Sequence, residues 1–284
     1  MGLSPMKELV LEAQKGHYAV GAFNCNNMEI VQAIVAAAEI ENSPVIIQAS
    51  QGAIKYAGIH YITGLTKLAA ESVKIPVALH LDHGTSFEQC IECIRSGFTS
   101  VMIDGSKHDL QSNIELTRRV VEIARLFGVS VEGELGKIGG TEDDIVVSER
   151  EALFTDPLEA ERFCKETEID ALAVAIGTAH GQYKGIPKLD FERLREIKKK
   201  VSTPLVLHGS SGVPEEAIRE AISIGVSKVN IDTNIREAFT EAARQVIIDN
   251  PKEIDPRKML GPAREAAIEV IREKIKIFGS SGKA

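Results

Sequence analysis

Short apolar runs recur along the chain and stop abruptly at polar residues. Eight of them are rich in β-branched and small side chains: "AVGAFN" (19–24), "PVIIQAS" (44–50), "PVALHLD" (76–82), "SVMIDG" (100–105), "VSVEGE" (129–134), "ALAVAIG" (171–177), "PLVLHGS" (204–210) and "KVNID" (228–232). Most lack a clean polar alternation, the pattern of parallel strands covered by helices on their outer face. Between them the apolar period changes to that of a helix. "NMEIVQAIVAAAEIEN" (27–42) and "LQSNIELTRRVVEIARLFG" (110–128) carry apolar residues at helical spacing, the second closing on Gly128. "PEEAIREAISIG" (214–225) opens on Pro and acids and closes on Gly. Strands and helices in alternation predict an α/β chain folded as a (β/α)8 TIM barrel. A short helix precedes the first strand, and residues 255–279 predict an added C-terminal helix. A pair of doubly wound domains would need a linker; no Pro/Ser-rich break divides the chain, so residues 1–284 are expected to form a single barrel domain. One connection is long: residues 135–155 join the fifth strand to its helix, and loops of that length are commonly functional lids or disordered.

Composition narrows the partners. The formal charge of −8 argues against general nucleic-acid binding, which needs basic patches, but leaves a phosphorylated substrate open. No apolar run approaches the ~20 residues of a membrane span, and the N-terminus lacks a signal peptide's apolar core, so a cytoplasmic location is expected. Cys90 and Cys93 form a single C-x-x-C without the second pair a zinc knuckle needs; with Phe87, Ile91 and Ile94 nearby at helical spacing, they read as core residues.

In a (β/α)8 enzyme the chemistry gathers at the carboxyl ends of the strands. Those ends carry Asn24, Ser50, Asp82 with His83, Asp104, Glu134, the turn with His180, then His208, and finally Asn230 with Asp232. Three histidines, His83, His180 and His208, come from three different strands onto one rim, and three imidazoles with an open fourth position suit a catalytic zinc ion. The alternative is that each histidine is separately satisfied by hydrogen bonds. His80, two residues before Asp82, reads as an orienting neighbour, and His17, His60 and His108 as structural or solvated. Asp104 and Glu134 read equally well as helix caps or buried acceptors and as ligands of a second metal or of an alternative position of the first. "HGSSGVPEEAI" and "NIDTNIREA" place small residues before helix N-termini after strands seven and eight, where this fold cradles phosphate.

Taken in order, "HLDHG", "GFTSVMIDGS", "VEGELG", "GTAHGQYKG", "VLHGSSG", "KVNIDT" and "DPRKMLGPAREA" resemble the class II, zinc-dependent fructose-bisphosphate and tagatose-bisphosphate aldolases from about residue 4 to the C-terminus. The resemblance implies that Asp82 exchanges the substrate proton and that His83, His180 and His208 hold zinc, with Asp104 and Glu134 at a second metal position. It implies that Gly181, Lys184, Gly209, Ser210, Ser211, Asn230, Ile231, Asp232 and Thr233 meet the dihydroxyacetone-phosphate end. Glu142 matches a lid glutamate that moves protons, and Arg257 matches an arginine that reaches the other phosphate from a neighbouring subunit. Asn24 and Ser50 complete the expected substrate contacts. The implied activity is reversible cleavage of fructose 1,6-bisphosphate through a zinc-stabilised enediolate, with the tagatose sugar as the alternative. The implied partners are a small ketose bisphosphate and further copies of the chain, as a homodimer or homotetramer, with neither nucleic acid nor membrane. A second divalent metal and a monovalent cation, Na+ or K+, are compatible with the family. Two further readings compete. A zinc hydrolase on the same barrel usually carries a His-x-His pair on its first strand, where this chain has "AFNCN"; a non-catalytic sugar-phosphate binding protein has no need of Asp82.

Overall fold

The eight runs pair side by side in one direction, as strands buried on both faces do when each is followed by a covering helix. A computed structural model describes residues 2–142, 145–147, 153–183 and 185–284. In chain order its first elements are α1 (Met6–Gly16), β1 (Val20–Asn24), α2 (Met28–Ile40), β2 (Val45–Ser50), α3 (Gln51–Ala57), α4 (Ile59–Glu71), β3 (Val77–Gly84), α5 (Phe87–Ser96), β4 (Ser100–Ile103), α6 (Leu110–Leu126) and β5 (Ser130–Leu135). There follow β6 (Gly139–Glu142), β7 (Ile145–Val147), α7 (Pro157–Thr167), β8 (Ala171–Val174), β9 (Ala179–His180), α8 (Phe191–Lys200), β10 (Leu205–Leu207), α9 (Glu215–Ile224), β11 (Val226–Ile231), α10 (Thr233–Asp249) and α11 (Pro256–Phe278). The strands β1, β2, β3, β4, β5, β8, β10 and β11 close into a parallel barrel, with β11 pairing back onto β1. This is the (β/α)8 architecture the hydrophobic pattern predicts.

Two apolar layers hold it together. Outward-facing strand residues such as Phe23, Ile47, Leu79, Val131 and Val229 pack under the helices in one large cluster. A smaller cluster fills the barrel: Ala22, Ile46, Ala78, Met102, Ala173 and Val206 join Met6, Leu9, Val10 and Ala13 of α1. The N-terminal helix therefore plugs the amino end, and polar residues inside the barrel are displaced toward the opposite rim. Local signals set the helix ends. Asn27 caps α2 through Ile30 N–H at 3.0 Å, and Asp109 caps α6 through Ser112 N–H at 3.0 Å. Cys90 and Cys93 are buried on α5, and burial pushes the Cys93 thiol up to about 12, which makes both inert core groups.

Two expectations change. Residues 135–155 do not form one structureless connection. β6 and β7 make an antiparallel hairpin, and β6 also pairs in parallel with β9. The β-branched run Ile145, Val146 and Val147 following the acidic stretch is the physical reason, since such residues favour extended pairing. The predicted strand ends at the rim are also too long. Gly209 and Ser210 leave β10, and Asp232 leaves β11 to become the N-cap position of α10.

Candidate active site

Consecutive residues of a strand point to opposite faces, so Asp82 and His83 should not both face the barrel interior. A bulge solves this. Between Leu81 and Gly84 on β3 lie two intervening residues, opposite the single residue between Val101 and Ile103 on β4. One extra residue is inserted there, and His83 takes the left-handed conformation with φ 48°. For a residue with a Cβ that conformation costs on the order of 1–3 kcal/mol and persists where the surroundings impose it. Its effect is to deliver both Asp82 and His83, each buried, to one site.

The barrel brings three histidines together. The His83 ring lies 4.9 Å from that of His180 and 4.7 Å from that of His208, and the three offer nitrogens close enough to hold one metal ion. His83 Nδ1 is 3.0 Å from Asp104 Oδ2, and His208 Nε2 is 2.7 Å from Glu132 Oε1. Carboxylates only accept, so each of those ring nitrogens is an N–H donor. A neutral imidazole then has its lone pair on the other nitrogen. Those other nitrogens, His83 Nε2 and His208 Nδ1, face one another at 3.0 Å. Two lone pairs aimed at one another need a cation between them or beside them. The donor set is three imidazoles, of which His83 and His208 are buried and braced by carboxylates, and it fits zinc.

The acids around the rings stay ionised. Burial would raise Asp104, but hydrogen bonding to His83 and Ser106 outweighs it and holds the carboxyl well below its ordinary range. Burial would raise Glu132 as well, and the Lys228 ammonium with the His208 hydrogen bond holds it well below its ordinary value. Asp104, Glu134 and His83 also form a second group able to hold a metal. It meets His83 on the Nδ1 side, where Glu134 Oε2 lies at 3.7 Å.

Asp82 sits among amides. Its Oδ2 accepts from Asn24 Nδ2 at 2.8 Å and Gln48 Nε2 at 3.0 Å, and its Oδ1 accepts from Asn230 Nδ2 at 3.3 Å. Three converging donors suit an ionised carboxylate and hold it in one orientation. The Asn230 amide also lies 3.1 Å from His208 Nδ1, so Asp82 and the histidine cluster share a partner.

The open side of the site is a cleft lined by Asn24, His180, Gly181, His208, Gly209, Ser210, Ser211, Asn230, Asp232 and Thr233, with Gln182, Arg236 and Glu237 at its edge. His180 reaches it from β9, whose backbone is approached by glycines on two sides. A Cβ at Gly140 (φ 101°) would come within 2.2 Å of His180 O, and one at Gly209 (φ 61°) within 2.5 Å of Ala179 O. Tyr183 closes the arrangement, its hydroxyl accepting from Ala179 N–H at 2.6 Å and donating to Gly209 O at 2.8 Å. At the far wall, Asp232 at the N-cap position makes no side-chain capping bond to α10, and Thr233, the first residue of that helix, lines the cleft. A helix start without a side-chain cap suits an anion.

The family model described as fructose-bisphosphate aldolase class-II matches residues 4–283. The chain belongs to the class II fructose-bisphosphate aldolase family. It is 49% identical to a fructose-bisphosphate aldolase of Geobacillus stearothermophilus over 100% of this chain and 99% of that one. It is 48% identical to one of Thermus caldophilus over 98% of this chain and 98% of that one. Among solved structures, the YdjI aldolase from Escherichia coli K12 is similar with a TM-score of 0.86 at 34% identity, covering 99% of each chain.

The aldolase barrel gathers most, but not all, of the residues singled out in the sequence. Asn24, Asp82, His83, Asp104, Glu134, His180, His208 and Asn230 converge on the rim, and Gly181, Gly209, Ser210, Ser211, Asp232 and Thr233 line the cleft. Ser50 caps α3 through Ala53 N–H at 3.2 Å, and the Ile231 side chain packs in the outer core, leaving only its backbone for a ligand. Arg257 is exposed, paired with Asp255 at 2.7 Å, and does not line the cleft. The backbone of Glu142 ends β6; its side chain, and the whole of Lys184, lie outside the described residues. Sequence reasoning missed Gln48, Glu132, Lys228, Tyr183 and Arg236. For the first three a signal exists: each stands two residues before a rim residue, on the same strand face.

Proposed function

We propose that residues 1–284 form one catalytic domain that reversibly cleaves fructose 1,6-bisphosphate to dihydroxyacetone phosphate and glyceraldehyde 3-phosphate. The observation that carries this reading is the buried, amide-held Asp82 delivered by a bulge beside three metal-competent histidines. The names of the relatives support fructose as the sugar. His83, His180 and His208 would hold zinc, which supplies a Lewis acid for the ketone oxygen and for the charge left when the C3–C4 bond breaks. Asp82 takes the C4 hydroxyl proton as that carbon becomes an aldehyde, and returns it in the condensation direction. Asn24, Gln48 and Asn230 keep the carboxylate aimed. Gly209, Ser210, Ser211, Asp232 and Thr233, with the α10 N-terminus, bind the ketone-side phosphate. Binding energy gathered there, away from the bond being broken, holds the substrate in reactive geometry.

The finer assignments complete the proposal. Glu142 protonates C3 after the aldehyde leaves, and Lys184 adds charge at the phosphate. Asp104 and Glu134 brace His83 or take a second divalent ion, and a monovalent cation binds at the phosphate end. Arg257, exposed on its own chain, serves the aldehyde-side phosphate of a neighbouring subunit in a homodimer or homotetramer. The enzyme works in the cytoplasm, which suits its four unpaired cysteines. Among the described residues no helix is long and apolar enough to cross a membrane.

The test is cleavage of fructose and tagatose 1,6-bisphosphates under one set of conditions, with zinc measured in the same preparation. Chelation should abolish cleavage and zinc should restore it; a higher kcat/KM for the tagatose sugar would reverse the substrate assignment. Full activity in verified metal-free protein would remove the zinc reading. Mixing Arg257→Ala with Asp82→Ala subunits should recover activity, and no recovery in confirmed mixed oligomers would place Arg257 in its own site.

A further inference from the structure

Beneath the rim lies a second layer of ionisable groups that the aldol step does not touch. Glu132 is on β5, two residues below Glu134, and Lys228 is on β11, two residues below Asn230; both are completely buried. Lys228 Nζ donates to Glu132 Oε2 at 2.8 Å, and His208 Nε2 donates to Glu132 Oε1 at 2.7 Å. His80 packs against the pair, its Nε2 3.6 Å from Glu132 Oε2 and its Nδ1 2.7 Å from Ser100 Oγ.

Stability alone does not explain this pair. Removing two charges from water is costly, and well-packed apolar residues of similar volume often serve a core as well or better. Geometry supplies a reason. An imidazole turned by half a revolution about its Cβ–Cγ bond puts carbons where its nitrogens stood, and its proton can sit on either nitrogen, so a metal ligand needs something to select one orientation and one tautomer. The Asn230 amide does not make the selection, because its Nδ2 is 3.1 Å from His208 Nδ1 and 3.3 Å from Nε2. The Glu132 carboxylate does, since it meets Nε2 alone and can only accept. Lys228 occupies the second carboxylate oxygen and balances its charge, so Glu132 is held against His208 and away from the rim.

We propose that Glu132 and Lys228 are a buried positioning pair that locks His208 with Nδ1 toward the metal, and so sets the metal affinity of the site. The proposal rests on the reading of His83, His180 and His208 as metal ligands. It assigns Glu132 and Lys228 no contact with the substrate.

The experiment is zinc titration of metal-stripped full-length protein in competition with a chromophoric chelator. Glu132→Gln removes the obligate acceptor, and zinc affinity should fall by about 10–100-fold, the usual effect of losing a group that orients a metal-binding histidine. That variant strands the Lys228 ammonium and can fail to fold. Glu132→Met/Lys228→Met removes both charges at similar volume and keeps the question answerable. It should melt near the parent without metal, bind zinc about 10–100-fold more weakly and alter the visible spectrum of the cobalt-substituted protein. Parental zinc affinity, within twofold, in a folded double variant would overturn the proposal, and so would tight zinc binding by His208→Ala. If the parent binds zinc but leaves fructose 1,6-bisphosphate uncleaved, the functional reading fails while the affinity comparison still decides the positioning role.

Discussion

Replacing Asp82 by asparagine separates its chemistry from its place in the fold. The carboxylate is buried and accepts at 2.8 Å from Asn24, at 3.0 Å from Gln48 and at 3.3 Å from Asn230. Asparagine has nearly the same volume. With its oxygen at the Oδ2 position, it keeps the bonds from Asn24 and Gln48. Its NH2 group then meets the Asn230 NH2 group, a donor facing a donor. Asn230 Oδ1 has no hydrogen-bond partner among the described residues, so turning that amide restores the third bond and gives up the contact of Nδ2 with His208 Nδ1. Three charge-assisted bonds become neutral ones, a loss of about 1 kcal/mol each, partly offset because a charge is no longer buried. Stability should therefore fall by no more than about 3 kcal/mol, and zinc should stay bound. Proton transfer is lost outright. A general acid–base group is worth about 10²–10⁴-fold in rate, or about 2.7–5.5 kcal/mol of barrier. The assay is the initial rate of fructose 1,6-bisphosphate cleavage by Asp82→Asn, with zinc content and melting temperature measured on the same sample. A kcat within tenfold of the parent at full zinc occupancy refutes the proton-transfer role; loss of zinc would make Asp82 a structural support of the metal site.

Gly140→Ala places a Cβ 2.2 Å from His180 O at a backbone φ of 101°, so β6 must separate from β9 or the residue must carry strain of about 1–3 kcal/mol. Zinc affinity and kcat should both fall, and a zinc titration matching the parent would show that pairing with the hairpin does not place His180. For the metal-stripped protein a pH dependence follows from His208, which burial pushes down to about 4 against the opposing effect of the hydrogen bond it donates to Glu132. An unfolded histidine titrates near 6.5, so as pH falls through the window from about 6.5 to 4 the unfolded chain takes a proton that the folded chain refuses. Stability should be full above that window and decline within it. Denaturant midpoints at pH 7.5, 6 and 5 check this, and a midpoint that stays flat or rises as pH falls would show that the ring is protonated in the fold.

The rim was legible because strand ends in a parallel barrel converge on one face whatever the intervening loops. Three histidines 97 and 28 residues apart in the chain could thus be assigned to one site from local patterns alone. The small-residue wall of the cleft was legible for a similar reason: small residues before a helix start are a local property. What failed locally was strand length at the rim and the 135–155 segment, where pairing partners decide the outcome. β6 becomes a strand because β7 and β9 are beside it.

The sequence by itself determined the alternation of strands and helices, the closed parallel architecture, and which polar residues end each strand. These depend on hydrophobic period and chain order. Only the tertiary structure decided that Asp82 and His83 share a face, because the bulge that turns them together is a register shift against β4 and the residues of β3 alone do not encode it. It also decided that Gln48 holds Asp82 and that Glu132 and Lys228, 96 residues apart, meet beneath His208. Alternation tells which residues of a strand share a face; which side chains then touch across the barrel depends on stagger and closure, and those exist only when all eight strands are paired.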